Sequence, residues 1–275
     1  MVTPVLDEGA RSALATTRFA DVRWFGEIDS TNRYLLEEAR LGAPAGLVAV
    51  ADHQTAGRGR LGRTWVAPPA ASLLVSVLLR PDLPPDHLHL ASVAVALSMA
   101  DACAQRARFE PEIKWPNDLM VGERKLAGVL AETDLGRPAG AGPDPGGAAL
   151  PAAVVVGVGI NVNWPAELPE DLAGRAVALN HITGRPVDRS RLLVAMLAAL
   201  EPRADQLDSE AGRARLSSEY RARCATVGRE VRVDLQDESF TGVASDVDDH
   251  GHLLVQTGVC LREVTAGDVV HLRPT

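Results

Sequence analysis

The chain has 275 residues, of which 46% are hydrophobic and 23% charged, and its formal net charge is −8 at pH 7. These proportions are typical of a globular protein, and the acidic balance argues against non-specific binding to DNA, which needs an extended basic surface. Without an apolar signal-peptide core or an uninterrupted apolar run of the ~20 residues that span a bilayer, we expect a cytoplasmic protein. Three scattered cysteines without a CxxC pair argue against a disulfide framework or a structural zinc site.

The first half of the chain predicts helices alternating with buried strands. Residues 1–22 are too few for a helix-turn-helix module and predict only a short helix or arm. Ser30 or Thr31 is a candidate helix N-cap, and Gly42 is a candidate stop for the helix that follows. Apolar runs predict two buried strands and then a buried, alanine-rich helix. These three segments lie at 46–52, 72–80 and 87–106.

The second half predicts a hairpin, a strand, a helix and a small β-structure. EIKW predicts a strand broken at Pro116, and the two strands after it turn at Gly122. A later helix begins near Asp188 and is limited or kinked by Pro202. Five short strands from Arg229 onward predict a small β-barrel. The glycine- and proline-rich segment 136–150 is expected to be disordered or to form a hairpin tip. Segment 152–163 predicts a strand whose glycines permit close approach of a ligand or another backbone.

A basic, glycine-rich loop, GRGRLGRTW, occupies residues 57–65. Glycine gives the backbone freedom, and arginine matches phosphate or carboxylate oxygens, so the loop suits a polyanionic small molecule. Its spacing approaches that of a phosphate-binding P-loop, but the prolines of WVAPPAAS exclude the helix that such a loop requires. Nucleic-acid binding is disfavoured by the acidic total. On this segment alone, a solvated surface loop and a ligand site are equally good interpretations.

Four motifs in order decide between these interpretations. They are DSTN (29–32), HQTAGRGRLGRTW (53–65), KWPNDLMV…KLAGVLAE (114–132) and GVGINVN (157–163). In this order and spacing the sequence resembles the biotin protein ligases. The resemblance implies an α+β fold, with a mixed-sheet catalytic domain of the class II synthetase-like, biotin–lipoate ligase type at 1–225. It also implies an SH3-like small β-barrel at 226–275.

The resemblance implies a two-step, ATP-dependent reaction. Biotin is first converted to biotinyl-5'-AMP with release of pyrophosphate, and biotin is then transferred to a lysine of the biotin carboxyl carrier protein or domain of a carboxylase. The substrates are biotin and ATP, with Mg²⁺ required. Because the carboxylate and the triphosphate repel each other, the site must supply cations. The resemblance implies that Lys125, Arg60 and Asp118 are catalytic; Lys125 and Arg60 are among the cations that meet this need, and Asp118 is also a candidate Mg²⁺ ligand.

The same resemblance assigns binding residues. The expected biotin-binding residues are Ser30, Thr31, Asn32, Gln54, Gly57, Arg58, Gly59, Arg60, Lys125, Gly128, Gly157 and Gly159. The expected nucleotide-binding residues are Arg58, Arg60, Arg63, Trp65, Asn117 and Asn161. Ordinary alternatives exist for several of them. DSTN also suits a helix cap, Trp65 also suits a core anchor, and the Asn-Asp pair after Pro116 also suits a turn.

Other functions compete with this hypothesis. One alternative is a lipoate or octanoate ligase, which has a related fold. Another is a sensor that binds biotin or a nucleotide without catalysing a reaction. Many bacterial relatives carry an N-terminal DNA-binding domain, whereas only about 28 residues precede DSTN, so we expect a ligase without operator binding. We also expect the loop at 57–65 to be disordered without ligand and to close over the acyl-adenylate, because exclusion of water protects such an intermediate. The sequence leaves the oligomeric state open.

Overall fold

The computed structural model describes residues 6–134, 152–170, 172–265 and 267–272. The helices in this part of the chain are α1 (Glu8–Leu14), α2 (Thr31–Arg40), α3 (His89–Ala107), α4 (Leu179–Thr183), α5 (Arg189–Leu207) and α6 (Glu210–Arg223). The first seven strands are β1 (Val22–Ile28), β2 (Val48–Gln54), β3 (Ser72–Leu79), β4 (Glu112–Lys114), β5 (Asp118–Val121), β6 (Arg124–Asp134) and β7 (Ala153–Asn161). The last five are β8 (Glu230–Asp234), β9 (Ser239–Val247), β10 (Leu253–Gln256), β11 (Leu261–Val264) and β12 (Asp268–His271).

The first seven strands form one mixed sheet in the order β1-β2-β3-β7-β6-β5-β4. Strands β1 and β2 run parallel, and every other neighbouring pair is antiparallel. Helix α2 connects the parallel pair, as a crossover helix must. The three central strands, β3, β7 and β6, are therefore each hydrogen-bonded to a neighbouring strand on both sides.

Helices cover both faces of this sheet. Successive side chains of a strand point to opposite faces. On β2 and β7 one alternating set, including Val50 and Val156, packs in the large core with α3 and α5. The other set, including Ala49 and Val155, packs with Leu35 of α2. The sheet is thus the middle of three layers, and β3 is buried along its whole length because both of its faces are covered.

Local sequence signals account for where the helices begin and end. The Ser30 side chain accepts a hydrogen bond from the backbone N–H of Arg33, which confirms the predicted N-cap of α2. Asp188 caps α5 in the same way through the N–H of Arg191. Gly42 follows α2 with a φ of +88°, a conformation that glycine adopts without strain.

Helix α3 is the buried helix that the alanine-rich segment predicts. One described segment, Pro85–Ala107, is long and apolar enough to cross a bilayer by length and composition alone. However, 67% of its apolar window is buried inside the protein. Leu90, Leu97 and Met99 have at most 1% of their surface exposed. The helix is apolar nearly all round because it lies between the sheet and α5.

The last five strands form an antiparallel sheet in the order β11-β10-β9-β8-β12, which we call the C-terminal β-domain. It is fastened to the rest of the protein at the strand β4 and the residue that follows it. The N–H of Trp115 donates to Thr226 Oγ1 (3.0 Å), and Trp115 Nε1 donates to the carbonyl of Gly251 (2.9 Å). The expected fold class, a mixed-sheet catalytic unit with a small C-terminal β-domain, is confirmed.

The structure corrects the sequence interpretation at four points. It contains a strand, β1, and two helices, α4 and α6, that the sequence did not predict. The expectation that Pro202 limits the helix is wrong, because α5 continues past it, with buried Leu200, Ala204 and Leu207 anchoring both sides of the proline. A kink at Pro202 stays a prediction. The expectation of disorder or a hairpin tip at 136–150 lies outside the described residues.

Candidate active site

A cavity of about 540 Å³ opens on the face of the sheet that α2 covers. Elements distant in sequence line it: the N-terminus of α2, the basic loop after β2, strands β3, β6 and β7, the residues around β4, and strand β12 of the C-terminal β-domain. The cavity begins where the small apolar cluster under α2 ends. Its floor is therefore the uncovered part of a rigid sheet, a suitable scaffold for a binding site.

Three glycines make this space. Gly157 and Gly159 on β7 continue the sheet face of Val155, and Gly128 on β6 pairs directly with Gly159. A Cβ atom on Gly157 would lie 2.2 Å from Asn32 Oδ1, and one on Gly159 would lie 2.6 Å from Trp65 Cε2. Both distances are shorter than real contacts allow. The glycines thus let Asn32 and Trp65 approach the sheet, and larger residues would displace them.

One end of the cavity is an uncharged hydrogen-bonding network. Gln54 Oε1 accepts from the Thr31 N–H (2.7 Å) and lies 3.0 Å from Thr31 Oγ1. Ser76 Oγ is 2.7 Å from Thr31 Oγ1 and 2.6 Å from Asn32 Oδ1. Ser30, Thr31 and Asn32 are each no more than 4% exposed. The cap of α2 therefore also presents polar atoms to the cavity, so both expected roles of DSTN are geometrically compatible.

The other end carries cations, three of which are paired with carboxylates of the chain. Arg58 Nη1 is 2.9 Å from Glu132 Oε1, and Lys125 Nζ is 2.7 Å from Asp118 Oδ1. Arg63 forms an ion pair with Asp268 on β12. Glu132 also accepts a hydrogen bond from Asn32 Nδ2 (2.9 Å) and so connects the basic loop to the uncharged end of the cavity.

Two further cations of the cavity are partly buried. Arg60 forms no ion pair with any described residue, and its nearest polar partner is Asn117 Oδ1 at 3.5 Å. Burial lowers the pKa of Arg60, a shift that Asp118 opposes and Arg63 reinforces. Burial likewise lowers the pKa of Lys114, with Asp118 again opposing. Positive charge that is poorly solvated attracts an incoming anion strongly.

Trp65 lies over the two facing glycines, Gly128 and Gly159. Lys125 Nζ is 5.7 Å from the centroid of its ring, within range of a cation–π contact. The indole Nε1 is buried and has no hydrogen-bond partner among the described residues. A buried donor without an acceptor is costly, and a bound ligand would supply one. Trp65 thus has a hydrogen-bond donor that the described residues leave unused.

Asp118 and Asn117 offer a donor set suited to Mg²⁺. Asp118 Oδ1 is buried, and despite its short distance to Lys125 it makes no hydrogen bond of good geometry. Carboxylate and amide oxygens are the ligands that Mg²⁺ prefers, usually alongside substrate phosphates and water. These residues therefore fit the expected ion.

The structure brings most of the predicted site residues to this one cavity. Those lining it are Ser30, Thr31, Asn32, Gln54, Arg58, Gly59, Arg60, Arg63, Trp65, Asn117, Asp118, Lys125, Gly128, Gly157 and Gly159. Two predicted residues lie elsewhere. Gly57, the first residue of the loop, is buried and does not face the cavity; a Cβ atom on it would lie 2.4 Å from the carbonyl oxygen of Trp65. Asn161 is 4% exposed and donates to the carbonyl of Val177, so its amide is used within the core and not in the cavity.

Several lining residues escaped the sequence analysis. Two had a local signal, because Ser76 interrupts the apolar run of β3 and Lys114 opens KWPND. Glu132 closes KLAGVLAE and does not itself line the cavity, but it contacts two lining residues, Arg58 and Asn32, that lie far from it in sequence. Asp234 and Asp268 of the C-terminal β-domain also line the cavity, and no nearby motif indicates them.

Comparisons with known proteins agree with this geometry. Residues 24–142 match the biotin/lipoate A/B protein ligase family, and residues 226–272 match the biotin protein ligase C-terminal domain. A biotin–[acetyl-CoA-carboxylase] ligase from Mycobacterium tuberculosis is 38% identical over 250 residues, covering 89% of this chain and 86% of that protein. The bifunctional ligase/repressor BirA of Bacillus subtilis is 29% identical over 247 residues, covering 88% of this chain and 71% of that protein.

A solved structure is similar in fold over most of the chain. Biotin protein ligase from Aquifex aeolicus, in complex with biotin and ATP, matches with a TM-score of 0.75 and 29% identity, covering 93% of this chain and 100% of that chain. The chain belongs to the biotin/lipoate A/B protein ligase family. Its C-terminal match and its relatives place it among the biotin protein ligases of that family.

Proposed function

We propose that this protein activates biotin with ATP and transfers it to a lysine of a biotin carboxyl carrier protein or domain. The observation that carries the proposal is the polarity of the cavity. An uncharged hydrogen-bonding end and a cationic end share one glycine floor, which matches a molecule that joins a neutral ring to an anionic nucleotide. The relatives named above provide the chemical identity of that molecule.

We assign the uncharged end to the ring system of biotin. The ureido group is neutral and planar and both donates and accepts hydrogen bonds, so it matches the hydroxyl and amide atoms of Ser30, Thr31, Asn32 and Gln54. Gly157 leaves room above the strand for the ring. Binding here is specific because a ligand lacking these polar groups would leave buried partners unsatisfied.

We assign the cationic end to ATP and to the carboxylate of biotin. Arg58, Arg60 and Arg63 would hold the phosphates, and Trp65 would cover the adenylate with its unpaired Nε1 as a donor. Lys125 stands between the two assigned regions, over Gly128 and beside Asp118. It is the cation best placed to bring the carboxylate and the α-phosphate together and to stabilise the charge that develops as they react.

The first step forms a bond between a biotin carboxylate oxygen and the α-phosphorus and breaks the bond to the β-phosphate, so pyrophosphate leaves. Asp118 and Asn117 would hold Mg²⁺, which neutralises phosphate charge when bound. In the second step the lysine amine of the carrier attacks the acyl carbon, and AMP leaves. Between the two steps the basic loop would exclude water from the mixed anhydride.

The carrier is a proposal that rests on the Mycobacterium tuberculosis relative, whose name specifies acetyl-CoA carboxylase. The cytoplasm is the proposed location.

Pyrophosphate exchange into ATP tests the activation step and its substrate together. With Mg²⁺ present, we expect exchange that depends on biotin and is absent with lipoate or octanoate. Exchange driven by lipoate or octanoate would instead establish the neighbouring ligase activity. If the folded protein catalyses no exchange with any of the three acids, the result would favour the hypothesis that it is a sensor and not a ligase.

Absence of operator binding also stays a prediction, and the similarity to a bifunctional ligase/repressor makes it worth testing. A gel shift with the DNA upstream of the biotin operon should show no complex in the presence of biotin and ATP. Tight binding that persists at elevated salt would contradict the prediction.

A further inference from the structure

Four histidines gather at the seam between the N-terminus of α3 and the turn joining β9 to β10. They come from two similar stretches, DHLH at 86–89 and DHGH at 249–252, and the whole chain has only seven histidines. The ring centroids of His87 and His250 are 5.8 Å apart, and those of His250 and His252 are 5.9 Å apart. Three of the four histidines, His89, His250 and His252, line a second cavity that adjoins the candidate active site at Arg60 and Asn117. Clustered histidines with acidic neighbours are typical of metal binding.

Three side chains at this seam converge on one point. His252 Nδ1 is 2.5 Å from Glu263 Oε1 and 3.5 Å from Asp248 Oδ2. All three ligand atoms lie within 4.8 Å of one another. The fold brings them together because Asp248 and His252 flank one tight turn, closed by the hydrogen bond from the Asp248 N–H to the His252 carbonyl (3.0 Å). Glu263 pairs with Leu254, which shares a strand face with His252.

The turn fixes the Asp248 carboxylate in place. Its Oδ1 accepts hydrogen bonds from the backbone N–H groups of His250 (2.9 Å) and His252 (2.8 Å). Its Oδ2 is directed toward the imidazole. One oxygen is therefore occupied by the backbone, while the other is held ready for a ligand. Such fixed orientation of a ligating side chain is a regular property of metal sites.

The imidazole itself is left unsatisfied. His252 Nδ1 is buried and makes no hydrogen bond of acceptable geometry with a described residue, although two carboxylate oxygens are close. The oxygens therefore lie off the axis along which this nitrogen would donate. The three atoms surround a common point with no hydrogen bond of good geometry at His252 Nδ1, and His252 Nδ1 and Glu263 Oε1 must separate to about 3.3 Å to become ligands of one tetrahedral ion.

We propose that Asp248, His252 and Glu263 bind a divalent transition-metal ion of the zinc class. One imidazole nitrogen and two carboxylate oxygens form a three-residue donor set of the kind such ions accept, with water as a fourth ligand. The scarcity of cysteine argued against a thiolate zinc site, and this site uses no thiolate. The simplest competing occupant is a proton on His252, which would make the group an ion-paired triad.

All three ligands belong to the C-terminal β-domain, and the ion would stabilise the turn through which this domain contacts the catalytic part of the protein. Gly251, between the two histidines of the turn, accepts the hydrogen bond from Trp115 Nε1, and Trp115 immediately precedes Pro116 and Asn117. An ion that fixes the turn would also fix this contact. Bound metal should therefore raise the melting temperature of the protein, because a ligand that binds only the folded state stabilises it.

The test uses the full chain, freed of metal with a chelator and kept without nucleotide. Titration with Co²⁺ should give visible absorption bands that saturate at one ion per chain and disappear when Zn²⁺ is added. The His252→Ala variant should bind at least ~10-fold more weakly, because even changes next to a ligand cost that much. The His181→Gln variant alters a histidine outside the cluster and should bind like the unmodified protein. Asp118→Asn should also bind normally, which separates this site from the proposed Mg²⁺ ligands.

Two results would overturn the proposal: no cobalt binding by the unmodified chain, or equal binding by His252→Ala. If circular dichroism shows that His252→Ala does not fold, Glu263→Gln replaces it, since this carboxylate is half exposed on a strand. Glu263→Gln must then weaken binding by the same factor, and unchanged affinity would contradict the proposed ligand set.

Discussion

Lys125 lies where two negatively charged reactants would meet, between the hydrogen-bonding end of the cavity and the arginine loop. Substituting Lys125→Ala should lower the rate of biotin-dependent pyrophosphate exchange by roughly 10²–10³-fold, the typical loss when one group that stabilises developing charge is removed. The melting temperature should change little, because the side chain is partly exposed. Arg124→Ala removes an exposed cation from the same hairpin and is the matched control. Exchange that survives in Lys125→Ala would assign the central role to another cation.

Gly157 tests the uncharged end of the cavity. In Gly157→Ala the new methyl group would collide with Asn32 Oδ1, so Asn32 must leave Ser76 and the strand. Misplacing one buried polar partner costs about 1–3 kcal/mol, and the KM for biotin should rise roughly ten- to hundredfold while the KM for ATP stays nearly constant. Gly26→Ala, where a Cβ meets nothing within 4 Å, serves as control. An equal rise in both KM values would show that the collision disturbs the whole cavity.

At the scale of elements, the sequence predicted those whose signals are local. Apolar runs identified β2, β3, β7 and α3, and Gly122 identified the hairpin between β5 and β6. The sequence analysis did not predict β1, because this edge strand pairs on one side only and carries Arg23 and Glu27 instead of an apolar run. Helix α6 escaped because few of its residues are buried.

In the candidate site, too, the sequence predicted the residues that lie in local motifs and missed those that only the fold brings together. Motifs within a few residues of each other identified most of the lining. Asn161 was misassigned because a strand glycine motif does not reveal which polar side chain turns inward to the core. The Arg63–Asp268 pair could not be anticipated, because more than half of the chain separates the two residues and only the docking of the C-terminal β-domain joins them.

That pair connects the basic loop to strand β12. Asp268→Asn keeps the shape of the side chain and removes its charge, so the loop should open more often and the acyl-adenylate should escape faster. Both partners are partly exposed, and such pairs contribute ~0.2–1 kcal/mol. We therefore expect up to about a fivefold increase in free biotinyl-5'-AMP in the absence of carrier, measured after a single turnover. Asp237→Asn, an exposed residue of the same β-domain, is the control. Unchanged release would mean that the pair does not hold the loop.

At the scale of the whole molecule, the C-terminal β-domain should loosen in acid. His271 contacts Thr226 Oγ1 (3.0 Å), and burial lowers its pKa to about 4, assisted by Lys114 and Arg229. An unfolded histidine has a pKa of about 6.5. Between pH 6.5 and 4 the unfolded chain therefore binds a proton that folded His271 does not, and the free energy of unfolding falls as the pH falls.

The His271→Asn variant should lose less stability than the unmodified protein over this range. Urea unfolding at pH 7, 5.5 and 4.5 measures the difference, with His181→Asn as the control that should behave like the unmodified chain. Parallel loss of stability in all three proteins would show that groups other than His271 cause the acid sensitivity.

The pairing of Arg58, Lys125 and Arg63 with Glu132, Asp118 and Asp268 has a consequence for how substrate arrives. In the protein without substrate, the counterions of these three cations are carboxylates of the chain and not ions from solution. Phosphates and the biotin carboxylate must therefore enter by exchange, each taking over a cation from an internal carboxylate. Few solution ions are set free in such an exchange. The affinity for ATP should accordingly depend less steeply on ionic strength than the number of arginines and lysines around the cavity would suggest.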